Sequence, residues 1–171
     1  MSTLKVVLHP HPSLRVIAEP ITAVDADIRQ LVNDMWETMY FDRGVGLAAT
    51  QVDVRQRLFV ADVSENGNEP RCFINPEIIE KSETDTLANE GCLSFPEMYL
   101  PITRPEIIKV KFLDEHGEER ILEADGLLAR CIQHETDHLN GVVFIDHVTR
   151  MKRERALKKY FKELNLHKVV F

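Results

Sequence analysis

Residues 131–141 read Cys-Ile-Gln-His-Glu-Thr-Asp-His-Leu-Asn-Gly and contain the pattern H-E-x-x-H, formed by His134, Glu135 and His138. Residues four apart on a helix share one face, so both imidazoles would project from the same side. Two neutral imidazoles about 6 Å apart along the helix axis suit a tetrahedral divalent metal ion. Glu135 follows the first imidazole, where its carboxylate can reach a metal-bound water without binding the metal. The sequence therefore predicts a metal-binding helix that carries its own acid/base.

The residues around this pattern favour a helix. Asp125 can cap its N-terminus, and Gly141 can take the left-handed conformation that ends many helices. Apolar residues inside this segment are Leu127, Leu128, Cys131, Ile132 and Leu139. We therefore predict a helix that begins after Asp125 and ends before Gly141.

The identity of a third metal ligand is open at this point. Two His residues four apart also occur as ordinary, partly buried side chains, so the pattern alone is a weak signal. Metalloproteases with the longer pattern H-E-x-x-H-x-x-G-x-x-H have a third His where this chain has Phe144. Two thiols are candidates instead: Cys92, in a short segment between strand-like runs, and Cys131, three residues before His134. A thiolate with two imidazoles leaves the fourth position to water, as in catalytic sites.

Length and composition are those of a globular protein of ordinary size. The chain has 171 residues, of which 44% are hydrophobic and 29% charged. It has no apolar run of about 18 residues, and its N-terminus lacks the apolar core of a secretory signal, so we expect no membrane association. Three Cys cannot all pair within the chain, which favours a reducing cytoplasm. We predict a single domain over residues 1–171 and a cytoplasmic location.

Charge is unevenly distributed along the chain. The formal net charge is −7, which argues against a general polyanion binder. Residues 150–163 nevertheless contain seven Lys or Arg and two Glu, a local charge of +5, so the rest carries −12. This segment can be a solvated outer face or a surface that docks on nucleic acid.

The remaining periodicity predicts one α+β domain. Apolar residues at spacings of three and four indicate a helix over residues 25–40, and Thr149 can cap a C-terminal helix over about 150–165. Residues 44–51 contain two Gly and two Ala and, taken alone, indicate a turn. No long helices interleave the strand-like runs, so we expect mainly antiparallel strands around the metal-binding helix. These runs are 57–63, 71–75, 77–81, 107–113 and 120–124.

Three motifs together resemble a known family. They are Gly44-Val-Gly-Leu-Ala-Ala-Thr-Gln51, Glu90-Gly-Cys-Leu-Ser94 and Gln133-His-Glu-Thr-Asp-His-Leu-Asn-Gly141. Each is a weak signal alone. In this order, and in a chain of this length, they resemble the signature motifs of the peptide deformylases, in the form with a long C-terminal helix found in Gram-negative bacteria. The similarity continues between the motifs, through residues 57–76 and 124–128, and so covers nearly the whole chain.

The resemblance implies roles for the residues of the metal-binding motifs. Cys92, His134 and His138 match the metal ligands of the family, and Glu135 matches its catalytic acid/base. This favours a pocket-lining position for Cys131. One divalent metal ion per chain is implied, with Fe(II) expected in the cell and Zn, Ni or Co able to replace it.

The first two motifs are implied to bind the substrate. Gln51 and the backbone N–H of Leu93 match the groups that stabilise the oxyanion, and Gly46 matches a residue whose backbone binds substrate. The side chains that we expect beside the substrate are Val45, Cys131 and Leu127.

The implied reaction removes the formyl group, as formate, from the N-terminal formyl-methionine of newly synthesised polypeptides. The implied partners are this nascent polypeptide and the ribosome near its exit tunnel, contacted by the basic C-terminal helix; the chain is expected to be a monomer. An H-E-x-x-H metallopeptidase and a non-catalytic ribosome-associated protein are the alternatives. The missing third His argues against the first, and the intact ligands and Glu135 argue against the second.

Three positions depart from the commonest pattern of the family. Ala88 and Arg130 stand where larger apolar pocket residues are usual, and Tyr99 stands where Arg is common in the Gram-negative form. These changes concern the width of the methionine pocket rather than the chemistry, and we still expect Met to be preferred. The resemblance also implies an ion pair between Glu90 and Arg104 near the site.

Overall fold

Seven strands and three α-helices form within residues 3–170, the part of the chain that the computed structural model describes; side chains are described as far as residue 165. The helices are α1 (Ala26–Phe41), α2 (Gly126–Leu139) and α3 (Arg150–Val170). The strands are β1 (Gly46–Ala48), β2 (Leu58–Ala61), β3 (Arg71–Lys81), β4 (Asp85–Cys92), β5 (Phe95–Pro105), β6 (Ile108–Leu113) and β7 (Glu119–Ala124). Short 3-10 turns lie at Pro12–Arg15, Ala49–Val52 and Phe144–His147.

The strands form two antiparallel sheets. The larger has the order β1-β2-β3-β6-β7, and β4 pairs with β5 in a separate hairpin. Alternate residues of β2 face opposite sides of the larger sheet: Phe59 and Ala61 pack in the cluster that contains Ile132 of α2, while Leu58 and Val60 pack in the α1 cluster. The sheet is therefore covered on both faces, and the predicted α+β class with mainly antiparallel strands is confirmed.

Helix α1 matches its prediction within one residue at each end. The side chain of Asp25 accepts a hydrogen bond from the Ile28 backbone N–H at 2.9 Å, so Asp25 is the N-cap of this helix. Its apolar stripe, including Val32, Met35 and Met39, is buried against the larger sheet. The helix ends in the bend that leads to β1.

The prediction of a turn at residues 44–51 is wrong in part. This segment contains β1, which pairs with β2 in antiparallel register, followed by the 3-10 turn Ala49–Val52. Three residues are too few to display a strand period in sequence. The runs 71–75 and 77–81 are also one strand, β3, interrupted by a register shift between Ile74 and Glu77, where Asn75 has a φ of 50°.

The β4–β5 hairpin is absent from the sequence prediction. Most of β4 is exposed, so its residues do not alternate between apolar and polar. In β5 alternate residues are buried, but its three prolines argue against a strand in the sequence. Proline is tolerated there because both strands of a two-stranded sheet are edge strands. Cys92 is therefore the last residue of a strand, not part of an irregular segment between strands.

Helix α2 lies between the larger sheet and the hairpin, at the centre of the molecule. Gly141 follows it with a φ of 73°, as predicted, and a Cβ there would lie 2.8 Å from the carbonyl oxygen of Arg15. Asp125 occupies the N-cap, but its side chain makes no capping hydrogen bond. The expected side-chain cap is therefore wrong, and the left-handed Gly126, with a φ of 55°, begins the helix instead.

Helix α3 begins after Thr149, whose hydroxyl accepts a hydrogen bond from the Lys152 backbone N–H at 3.3 Å. Tyr160 is buried in a third apolar cluster with residues of β5 and the turn Phe144–His147, and its hydroxyl donates to the His9 carbonyl at 2.9 Å. The helix is therefore anchored next to the hairpin. Among the described residues, no helix is both long enough and apolar enough to cross a membrane.

Candidate metal centre

Three potential metal donors converge where α2 meets the end of the hairpin. His134 and His138 project from the buried face of α2, and β4 brings Cys92 against them. The ligand atoms of these three residues all lie within 4.8 Å of one another, and Cys92 Sγ lies 3.3 Å from His138 Nε2. The helical spacing thus places the imidazoles, and the hairpin supplies the third donor.

Of the two candidate thiols, the structure brings Cys92 to the His pair. Cys131 points instead toward β1, where its Sγ donates to the Val45 carbonyl at 3.6 Å. It is buried, and burial raises the pKa of this thiol well above its ordinary value. Cys131 therefore lies in the wall of the adjoining cleft, whereas Cys72 is buried within the larger sheet.

Glu90 orients the first imidazole. Its Oε1 lies 2.9 Å from His134 Nδ1, which leaves His134 Nε2 to face the other donors. The predicted ion pair is present, since Arg104 donates to both carboxylate oxygens of Glu90, at 2.5 and 2.9 Å. Burial alone would raise the pKa of Glu90, but the hydrogen bonds from His134 and Arg104 hold it well below its usual range. Glu90 therefore stays ionised in the interior.

The electrostatics of this cluster suit a cation. Burial would lower the pKa of His134, but its contacts with Cys92 and Glu90 raise it well above the ordinary value. The groups that favour a proton on this ring favour a metal ion in the same place. Burial lowers the pKa of His138 well below its ordinary value, which keeps it neutral, as a ligand must be. A thiolate with two imidazoles suits Zn, Fe, Co or Ni better than Mg or Ca.

Glu135 lies beside the donors without joining them. Its Oε1 is 3.9 Å from His134 Nε2, and its Oε2 is buried without a hydrogen-bond partner among the described residues. Burial is the largest influence on this carboxyl and raises its pKa to about 7. Such a group can exchange a proton near neutral pH.

Gln51 is held next to Cys92 by the turn after β1. Its Oε1 accepts from the Ala48 N–H at 2.9 Å, and its Nε2 lies 3.1 Å from Ser94 Oγ and 3.6 Å from Cys92 Sγ. This amide therefore presents its donor side to the metal centre. Leu93, between Cys92 and Ser94, lines the same cleft.

An open cleft of about 550 Å³ adjoins the centre. Its wall includes the four residues expected beside the substrate: Val45, Gly46, Leu127 and Cys131. At Gly46 the backbone passes so close to α2 that a Cβ would lie 2.7 Å from Cys131 Sγ and 2.8 Å from Glu135 Oε1. The structure thus brings β1 and the Glu135 carboxylate to one edge of the cleft.

The three departures noted in the sequence have different positions. Tyr99 and Arg130 line the cleft, but Ala88 is exposed on β4 and does not, so its expected effect on pocket width is wrong. Arg130 is buried and donates to Glu90, an interaction that sequence reasoning missed. The sequence gives one indication of this interaction: an arginine at a position expected to line the pocket. A buried arginine requires an acidic partner, and Glu90 lies in another of the three motifs.

The site combines an H-E-x-x-H pair on a buried helix, a thiol from a neighbouring hairpin and a carboxylate beside a cleft, which is the arrangement of a metal-dependent hydrolase. A family model described as polypeptide deformylase matches residues 3–154. The peptide deformylase of Pseudoalteromonas translucida is 52% identical over 95% of this chain and 97% of its own. The peptide deformylase of Neisseria gonorrhoeae is 51% identical over 93% of this chain and 95% of its own.

Solved structures agree with these relatives. A peptide deformylase from Legionella pneumophila has a TM-score of 0.92 at 40% identity and covers 97% of this chain and 98% of that one. A peptide deformylase from Ehrlichia chaffeensis, in complex with actinonin, has a TM-score of 0.91 at 44% identity. It covers 95% of this chain and 98% of that one. The chain belongs to the polypeptide deformylase family. This confirms the resemblance of the three motifs and the enzyme class, a metal-dependent hydrolase.

Proposed function

We propose that this chain removes the formyl group from the N-terminal formyl-methionine of newly synthesised polypeptides and releases formate. The observation that carries the proposal is the convergence of Cys92, His134 and His138 beside the Glu135 carboxylate, whose Oε2 has no hydrogen-bond partner among the described residues. Membership of the polypeptide deformylase family supports the reaction and the substrate class.

Cys92, His134 and His138 would hold one divalent metal ion, with His134 bonding through the nitrogen that Glu90 leaves free. Bound there, the ion would act as a Lewis acid that polarises the formyl oxygen and lowers the pKa of a water molecule from near 16 toward about 7. We expect Fe(II) in the cell, and this donor set also suits Zn, Ni and Co. Elemental analysis of protein purified without oxygen tests this expectation.

Glu135 would transfer the protons of the reaction. Hydrolysis requires a water molecule to lose a proton as its oxygen attacks the formyl carbon, and the departing amine to gain one as the carbon–nitrogen bond breaks. The buried Glu135 carboxylate, with its pKa raised to about 7, can accept the first proton and return it to the amine. The products are then formate and a polypeptide with a free N-terminal amine.

Gln51 and Leu93 would stabilise the negative charge that develops on the formyl oxygen. The Gln51 side chain is fixed by its bond to the Ala48 N–H, so that its amide donor faces Cys92. The backbone N–H of Leu93, next to Cys92, is the second donor. A donor of this kind typically contributes about 3 kcal/mol to transition-state stabilisation.

The substrate would lie in the cleft beside Gly46, Val45, Cys131 and Leu127. The close approach of Gly46 to Glu135 leaves little space at the reacting carbon. Formyl is the smallest acyl group, so a narrow site can admit it and exclude acetyl. Leu127 and Val45 are partly exposed apolar residues that can contact the methionine side chain.

Formate release, measured without oxygen, tests the function. We expect rapid release from a formyl-Met peptide, slower release from formyl-Ala, and no deacylation of the matched acetyl-Met peptide. Equal rates on formyl-Met and formyl-Ala would refute the preference for Met. Absence of formate from every formyl peptide, with metal bound, would refute the deformylase function itself.

The basic helix α3 would dock on ribosomal RNA beside the nascent-chain exit. Six of the seven Lys and Arg residues in its first fourteen positions are exposed, and contacts of such side chains with phosphates make binding salt-dependent. Because Tyr160 and Leu164 pack in the core, reversal of exposed charges is a cleaner test than deletion of the helix. We expect K158E/K162E to weaken ribosome binding most at low salt, while formate release from short peptides is retained; unchanged binding would contradict docking by this helix.

A further inference from the structure

Arg130 is a buried arginine on the face of α2 that meets the hairpin, with a relative exposure of 8%. A guanidinium in such a place is unfavourable unless its donors are paired. It stands four residues before His134 on the same helix, one turn from the first metal donor. The position is therefore adjacent to the metal centre, and its partners decide what it can do there.

The guanidinium of Arg130 bonds to both strands of the hairpin. Its Nη1 donates to Glu90 Oε2 at 2.7 Å and to the Ile102 carbonyl at 2.8 Å. Its Nη2 donates to the carbonyl and the hydroxyl of Thr86, at 2.9 and 3.1 Å. Glu90 and Thr86 belong to β4 and Ile102 to β5, so one side chain joins α2 to each strand.

This connection matters because the proposed ligand set spans two elements. His134 and His138 belong to α2, whereas Cys92 belongs to the hairpin, which shares no strand pairing with the larger sheet in the described part of the chain. Glu90 is two residues before Cys92 on β4. The position of the thiolate relative to the imidazoles therefore depends on how the hairpin docks on α2.

Neutralising Glu90 does not require Arg130. Arg104 already donates to both oxygens of Glu90 and also pairs with Asp137 of α2 at 3.0 Å. Arg104 lies on β5, whereas Arg130 lies on α2 and reaches both strands of the hairpin through one planar fork, a geometry that a lysine cannot reproduce.

We propose that Arg130 is a positioning residue that clamps the β4–β5 hairpin onto α2 and thereby holds Cys92 at ligand distance from His134 and His138. The proposal rests on the metal ligands of the proposed function.

Cobalt(II) binding to the full chain tests this role without use of catalysis. R130K keeps a positive charge beside Glu90 but cannot bridge both strands, and R130M removes the donors altogether. The matched control is R120M, which removes an exposed arginine of β7 that pairs with Asp114 and Glu118. Two quantities are measured: the dissociation constant for Co(II), by competition with a chelator, and the thiolate-to-cobalt charge-transfer absorption.

We expect R130K and R130M to weaken Co(II) binding by about 10- to 100-fold, as for other residues that support metal ligands, and to lose part of the thiolate absorption. R120M should match the parent chain in both measurements. Parent-like affinity and absorption in R130K would show that only charge counts and would overturn the clamp. If the parent chain itself binds Co(II) without thiolate absorption, the proposed ligand set fails, and the clamp fails with it.

Discussion

At the scale of single residues, the environment of Glu135 determines its chemistry. The carboxylate is buried next to the His134 imidazole, and one of its oxygens has no protein partner among the described residues. Burial disfavours the charged form of this carboxyl and raises its pKa to about 7, so it can hold or release a proton near neutral pH. Glutamine has nearly the same size and shape as Glu135 but cannot transfer protons, so it tests the carboxylate alone.

The E135Q variant should therefore lose activity and keep its metal. Proton transfer by a positioned side chain contributes about 10²- to 10⁴-fold to rate, and kcat should fall by that factor. The assay is formate release from a formyl-Met peptide, with metal content measured on the same sample. If E135Q with a full complement of metal keeps nearly the parental kcat, Glu135 does not transfer protons in the reaction.

Gly46 is a second residue whose identity follows from contact. A methyl group there would press on Glu135 Oε1 and Cys131 Sγ at 2.8 and 2.7 Å. G46A should lower kcat/KM by about 10²-fold, because small displacements of catalytic groups have effects of that size. G44A is the comparison variant, since its methyl meets only the Leu93 side chain, which can shift, and it should lower kcat/KM less. Parental kcat/KM in G46A would contradict the close approach.

Residue-level prediction from sequence succeeded where spacing carries geometry. The H-E-x-x-H spacing placed both imidazoles and Glu135, because a helix fixes which residues share a face. It could not choose between Cys92 and Cys131, since that choice depends on the β4–β5 hairpin, which was not predicted from the sequence. Only the motif resemblance favoured Cys92.

At the scale of elements, the periodicity of the sequence did not predict the β4–β5 hairpin, and it gave no prediction for the loop after β2. The exposed β4 lacks the alternation of a half-buried strand, and β5 has that alternation but contains three prolines, which argue against a strand in the sequence. Helix α1, by contrast, has both an apolar stripe and an N-cap and was found within one residue. Patterns therefore identified α1, which buries an uninterrupted apolar stripe, and failed for an exposed strand and for a strand that contains prolines.

Asp62 shows how such a loop is held. Its carboxylate accepts hydrogen bonds from Tyr40 of α1 at 2.6 Å, from Ser64 at 2.5 and 2.9 Å, and from the Glu69 N–H at 3.1 Å. Burial would raise its pKa, but these bonds lower it below the ordinary value. The ionised carboxylate thus ties residues 62–69 to the end of α1.

The stabilising effect of Asp62 should depend on pH with a definite sign. Because its pKa is lower in the folded state, its contribution is complete above the unfolded pKa near 4 and declines as pH falls through the folded value. D62N should lower the free energy of unfolding by about 1 to 3 kcal/mol near pH 7, and by less near pH 3. Urea unfolding of both chains at several pH values measures this difference. A difference that stays constant over that range, or grows toward acid pH, would contradict the assignment.

At the scale of the whole molecule, three apolar clusters support one site. The larger sheet holds α2 from one side, and the third cluster, which includes Phe95, Phe144 and Tyr160, holds the hairpin and α3 from the other. The α+β class and the order of helices were predictable from sequence, because no long helix interleaves the strands. The division into a five-stranded sheet and a separate hairpin was not, since it depends on pairing between distant residues.

The proposed function depends on one metal ion held by Cys92, His134 and His138. Anomalous scattering at the absorption edge of the metal, from crystals grown without oxygen, locates that ion directly. We predict a single strong peak within bonding distance of Cys92 Sγ, His134 Nε2 and His138, with Glu135 outside the coordination sphere. A peak bound elsewhere, or no peak in crystals of active enzyme, would contradict it.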